Sequence, residues 1–160
     1  MTRKSTLIVA LGAGCLLLTA MLASQTVSSQ GAAGGRYYTK ADVERIIKRV
    51  EERSDSFRKV IDRSLDRGVL DGTNREDNIN QQVKELENAI DKLRGDFDRA
   101  QTWEETREQV QRVRRESDEV NVIVRRGRWR RGGPVKSEWA LVRNDLNRLF
   151  GIYNMGLLVP

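Results

Sequence analysis

Two carboxylate pairs stand one helical turn apart, Glu104 with Glu108 and Asp62 with Asp66. A helix would set each pair on one face, and burial could then split the two acids into a proton donor and a proton acceptor. Both pairs fall among arginines and off the apolar positions set out below, a pattern that suits a solvated helix face. An enzyme using carboxylates alone is therefore the narrow alternative. The chain has no histidine. That excludes a serine–histidine–acid triad and any histidine-bearing zinc site, and also the Glu-x-x-His ligands of a di-iron helical bundle. The stretch "LDGTNREDN", residues 70–78, is rich in oxygen ligands, but Gly72 follows Asp71 at once and Arg75 fills a ligand place of the calcium-loop pattern. A turn followed by a helix cap accounts for it. No catalytic, cofactor-binding or metal-ligating residue is expected.

One stretch has a sharper alternative. "RRGRWRRGGP", residues 125–134, gathers Arg125, Arg126, Arg128, Trp129, Arg130 and Arg131 with no acid among them. Guanidinium groups fork phosphate oxygens and an indole suits a membrane interface. The six residues are thus the candidate contact for an anionic membrane or lipopolysaccharide surface. The competing reading is a solvated connector between two helices. Setting aside Arg3, Lys4 and the five connector arginines leaves the 29 basic and 23 acidic residues in near balance, so the positive excess is local. No specific nucleic-acid signal accompanies it.

Four apolar stripes supply the elements that would hold this connector. Thr39, with Asp42 three residues on, caps a segment in which Val43, Ile47, Val50, Ser54, Phe57, Ile61 and Leu65 step by threes and fours. Tyr38 and Val43 suit a hydrophobic staple across that start. Thr73 and Glu76 open a second box, followed by Ile79, Val83, Leu86, Ile90, Leu93 and Phe97. Gly95 interrupts that helix at a cost of about 1 kcal/mol, too little to break it. The box "TWEE", Thr102 to Glu105, opens a third, with Thr106, Val110, Val113, Ser117, Val120 and Val124 and, beside them, Trp103 and Ile123. The fourth carries Trp139, Val142, Leu146, Leu149 and Tyr153, and "GIYNMGLLVP" trails off as an apolar tail. Ser54 and Ser117 would line a small polar pocket or mark a close helix approach. The pattern predicts an all-α domain over residues 37–155, an antiparallel up-down four-helix bundle, with an apolar tail at 156–160.

Ahead of the bundle, residues 1–29 carry Arg3 and Lys4, an apolar run from Leu7 to Ala23, and no acid. This is the pattern of a secretory signal peptide, with Val27 and Ser29 as the small residues before a cut. The run slightly exceeds the roughly 7–15 residues of a signal core and reaches the lower end of the roughly 17–25 of a membrane span. An N-terminal membrane anchor is thus the other reading, and both place the domain outside the cytoplasm. Cys15, the one cysteine, lies within the run. Gly12 stands where a lipid-attachment signal would have leucine, and more apolar residues follow. Residues 30–36, small and polar, read as a flexible tether.

"LDGTNREDNIN" followed by "EWALVRNDLNRLFGIYN" resembles a group of small exported helical proteins of acidobacterial type. The resemblance spans roughly residues 37–155 and includes a Trp-x-x-x-Arg-x-Asp-Leu-Asn pattern at Trp139, Arg143, Asp145, Leu146 and Asn147. It implies an exported helical domain and no chemistry. The chain is more distantly similar to Spy-like periplasmic chaperones but lacks their paired Leu-Thr-x-x-Gln motifs.

The expectation is a non-catalytic exported envelope protein that acts by binding. It would be periplasmic or secreted, or else anchored to the inner membrane with its domain outside. Its rivals are a periplasmic holdase and the carboxylate-only enzyme. One basic connector binds weakly by itself, so a homo-oligomer or a membrane tether would have to lengthen its residence.

Overall fold

The structure is a computed structural model that describes residues 31–33, 36–66, 73–127, 129 and 133–160. The expected signal or anchor at residues 1–29 lies outside them. No described helix is long and apolar enough to cross a membrane. The described chain is all-helical apart from one small ribbon. Its helices are α1 (Lys40–Asp66), α2 (Asn74–Arg99), α3 (Arg107–Arg126) and α4 (Pro134–Ile152), with a 3-10 turn at Trp103–Thr106. β1 (Gly31–Ala33), in the stretch expected as a tether, pairs antiparallel with β2 (Arg36–Tyr38), which runs from the last tether residue into the expected domain, Gly31 opposite Tyr38.

The helices begin where their caps dictate. The Thr39 N–H donates to Asp42 Oδ2 and the Asp42 N–H to Thr39 Oγ1, both at 3.1 Å, closing a reciprocal box. The Thr39 hydroxyl, which donates to Asp42 Oδ2 at 2.6 Å, and then the Thr39 N–H hold the Asp42 carboxyl below its ordinary value. Thr73 Oγ1 accepts from the Glu76 N–H at 3.3 Å. The Thr102 N–H donates to Glu105 Oε1 at 2.8 Å, yet this box opens a 3-10 turn rather than the α-helix directly. Two side chains take the Trp103 carbonyl there: Thr106 Oγ1 donates to it at 2.9 Å from within the turn, and the Tyr153 hydroxyl donates to it at 2.8 Å from beyond α4. Pro134 starts α4, where its missing N–H costs nothing. Gly95 sits within an unbroken α2.

Packing joins α1 with α2 and α4, and α3 with α2 and α4, so the four helices surround one core. Every stripe residue named above is buried, including Leu86, Leu93 and Phe57 at 0% exposure. Side-chain pairs run in opposite order along neighbouring helices. Glu44 meets Arg94 and Glu87 meets Arg58 between α1 and α2; Asn121 meets Trp139 and Thr106 meets Tyr153 between the third and fourth segments. Ser54 and Ser117 are both buried. The Ser117 hydroxyl donates back to the Val113 carbonyl at 2.6 Å, a common solution for a buried helical serine.

Among the described residues Asp145 is the one buried charged side chain, 2% exposed on α4. Two arginines of α1 face it, Arg53 Nε at 2.8 Å from Oδ2 and Arg49 Nε at 3.5 Å from Oδ1. The contact ties α1 to α4, but it adds little net stability, since desolvation offsets much of the attraction.

At the C-terminal end of α4, Tyr153 is fully buried and meets Trp103 edge to face, ring centroids 5.0 Å apart. Its hydroxyl donates to the Trp103 carbonyl at 2.8 Å. Burial lifts this phenol from its ordinary 10.0 to about 12. The folded-state value is the higher one, so the full contribution to stability is present below pH 10 and is lost as pH rises toward 12. At about 1.36 kcal/mol per pH unit this removes roughly 3 kcal/mol at most. Urea titrations at rising alkaline pH should show that loss in the wild-type chain. The Tyr153→Phe variant, less stable at neutral pH, should show a flatter alkaline slope.

The tail departs from expectation. Residues 156–160 do not trail off: Leu158 is 3% exposed and belongs to the core. Asparagines and an arginine on α3 and α4 hold its backbone, partners that a reading of apolar spacing does not register.

Candidate binding surface

The basic connector begins in the last turn of α3. Arg125 and Arg126 are exposed there, and no acid among the described residues pairs with them. Cations at a helix C-terminus also meet the negative end of its dipole favourably, so a local structural role accounts for part of their placement. The Gly127 N–H donates to the Ile123 carbonyl at 2.8 Å and ends the helix.

Trp129 does not project freely. It is half-buried, packs against the core, and its indole N–H donates to the same Ile123 carbonyl at 3.3 Å. The ring lies so close over Gly127 that a Cβ there would overlap the indole nitrogen and sit 2.8 Å from the Ile123 carbonyl. Glycine is required at 127 for close approach, since its φ of −66° is open to any residue. Gly127→Ala should therefore push the ring away and cost about 1–3 kcal/mol, as overpacking does. NMR should show faster solvent exchange of the Trp129 indole N–H. An unchanged indole signal would contradict the contact.

Arg128, Arg130 and Arg131 lie outside the described residues. The structure thus brings Arg125, Arg126 and Trp129 to one end of the bundle, with the arginines outward and the tryptophan folded back. A ring engaged this way must leave its seat before it can enter an interface. The charge is available and the aromatic is committed.

The acid pairs do not converge. Asp62 accepts from Arg58 Nε at 3.0 and 3.2 Å, and the same arginine reaches Glu87 at 3.1 Å. Burial raises the Glu87 carboxyl above its ordinary value against the opposing pull of Arg58. Glu104 belongs to the 3-10 turn while Glu108 is exposed on α3. Glu108 borders a shallow depression of about 350 Å³ between α2 and α3, shared with Lys92, Gln109, Arg112 and Arg115. Among the described residues no group of three or more acids or cysteines is placed to hold a metal ion. The calcium-loop residues Asp71 and Gly72 lie outside the described residues, while Thr73 serves as the α2 cap.

Sequence reasoning gave no role to three polar side chains beside the stripes: Asn121, and Asp145 and Asn147, which entered only as part of the resemblance pattern. Asn121 accepts from the Trp139 indole N–H at 2.8 Å, and Asn147 bonds the tail. Their signal was position, one residue from a stripe position where solvent-facing residues also occur. No protein-family model matches the chain, and no match was found among curated proteins or solved structures.

Proposed function

We propose that the protein is a non-catalytic, exported helical protein that acts by binding, and that its basic end meets a phosphate-rich anionic surface. In this reading residues 1–29 carry the chain out of the cytoplasm or anchor it. The up-down antiparallel bundle then holds the connector 125–131 at one end. The observation that carries the proposal is the pair Arg125 and Arg126, exposed at the α3 terminus with no acid partner among the described residues. Arg128, Arg130 and Arg131 continue the run in sequence.

Magnitude decides what kind of binding this is. Near an anionic surface each basic residue contributes about 1 kcal/mol, so the run gives roughly 5 kcal/mol, an affinity on the order of 0.1–1 mM. A domain kept near the surface by an anchor, or presented in several copies, would bind far more tightly through effective concentration. A carboxylate-only enzyme has less support, because Arg58 engages Asp62 and Glu108 lies among bases. The test is co-sedimentation with anionic and with zwitterionic vesicles at rising salt. Binding restricted to anionic vesicles and weakened by salt is the expected result.

A further inference from the structure

The chain leaves α4 through a left-handed residue. Asn154 has φ of 54°, the Met155 N–H donates to the Phe150 carbonyl at 2.9 Å, and the Asn154 N–H donates to the Gly151 carbonyl at 3.2 Å. These two bonds form the Schellman turn that terminates a helix. Beyond it, residues 156–160 cross between α3 and α4, gripped by their backbone. Arg114 Nε donates to the Gly156 carbonyl at 2.6 Å, and Asn121 Nδ2 donates to the Val159 carbonyl at 2.9 Å. Asn147 takes both groups of a single residue: its Nδ2 donates to the Leu158 carbonyl at 3.1 Å, and its Oδ1 accepts from the Leu158 N–H at 2.7 Å.

All four bonds end on main-chain atoms. Only one side chain of the segment is enclosed, Leu158, while Leu157 and Val159 remain 55% and 59% exposed. The segment thus alternates out, in, out, as an extended strand does, and the seat reads backbone shape plus one apolar side chain. That is the division of labour by which proteins bind extended peptides, main-chain bonds for affinity and a pocket for selectivity. The gripping groups are held in place by the bundle itself. The Trp139 indole occupies Asn121 Oδ1, which directs its amide N–H outward. Arg114 pairs with Asp118 and lies over the Phe150 ring, 5.6 Å from its centroid. Such preorganisation lowers the cost of ordering on binding.

We propose that the α3–α4 groove is a binding site for an extended polypeptide segment with a leucine-sized apolar residue at its pocket, occupied here in cis by residues 156–160. The proposal stands apart from the basic connector. A short linkage gives the cis segment an effective concentration in the millimolar range, so a peptide in trans competes poorly until the cis segment is weakened.

The probe is a fluorescent peptide with the sequence of residues 154–160, titrated into the full chain and into its Leu158→Gly variant. The variant should bind at least about tenfold more tightly than the wild type. Adding Asn147→Ala to that variant should abolish the gain, and a peptide carrying Leu158→Asp should not bind. A folded Leu158→Gly variant with no gain in affinity would overturn the proposal. Should that variant fail to fold, amide hydrogen exchange on the wild-type chain decides. Excess peptide should accelerate exchange of the Leu158 N–H by displacing the cis segment, and unchanged exchange would overturn the proposal equally.

Discussion

Replacing Trp139 by alanine should lower the stability of the bundle by roughly 3–5 kcal/mol, a large part of what a domain of this size has in reserve. Trp139 is among the largest fully buried side chains, at 1% exposure. Its ring meets Phe57 of α1 with centroids 5.2 Å apart, and its indole N–H donates to Asn121 of α3. One side chain thus ties three helices together. Two losses add in the alanine variant: the cavity left behind, and the Asn121 Oδ1 left without its donor in a buried site. Trp139→Phe separates them. Phenylalanine fills most of the volume but cannot donate, so the orphaned acceptor alone should cost about 1–3 kcal/mol. Urea unfolding measured through circular dichroism reads both numbers. A loss below about 1 kcal/mol in the alanine variant would mean that the α4 stripe does not face the core as described.

Much of this arrangement is legible in the sequence because it is local. Thr39 with Asp42, and Thr73 with Glu76, each spaced by three, announce helices that start at the next residue, Lys40 and Asn74, and the structure uses each pair that way. The steps of three and four from Ile79 to Phe97 define one face, and that face is buried without exception. The polar pins are a different matter. Asp145 lies next to Leu146 in sequence, but its partners Arg49 and Arg53 lie on α1, nearly the whole bundle away along the chain. Spacing along one helix carries no information about which polar neighbour of a stripe will find a partner across the core. The tail failed for the same reason. Residues 156–160 have no periodicity, and their order comes from Arg114, Asn121 and Asn147 on two other elements. The charge of the connector was plain from composition. The return of Trp129 onto the end of α3 was not, because it depends on the space that Gly127 leaves open.

Exchanging Arg125, Arg126, Arg128, Arg130 and Arg131 for glutamine should remove nearly all affinity for anionic vesicles and leave the fold in place. The fold should survive because Arg125 and Arg126 are exposed at a helix terminus and hold no described acid. What they do give to α3 is the dipole interaction, worth about 0.3–1 kcal/mol each at an exposed site. The surface interaction is larger, at about 1 kcal/mol for each of the five, so the variant should bind more than a hundredfold less tightly. Trp129 bears on how the surface is met. If the arginines act as charges at the headgroup level, the indole stays on Ile123 and its N–H signal is unchanged by lipid; if the ring inserts, that signal shifts.

The most direct test is one titration of the wild-type domain and the five-glutamine variant with anionic vesicles, at low and at physiological salt. Exposed charges are screened over about 8 Å at physiological salt. The wild type should therefore bind at low salt, bind less at physiological salt, and exceed the variant under both conditions. Equal binding by the two proteins, or wild-type binding that salt does not alter, would contradict the assignment of the basic end as the binding surface.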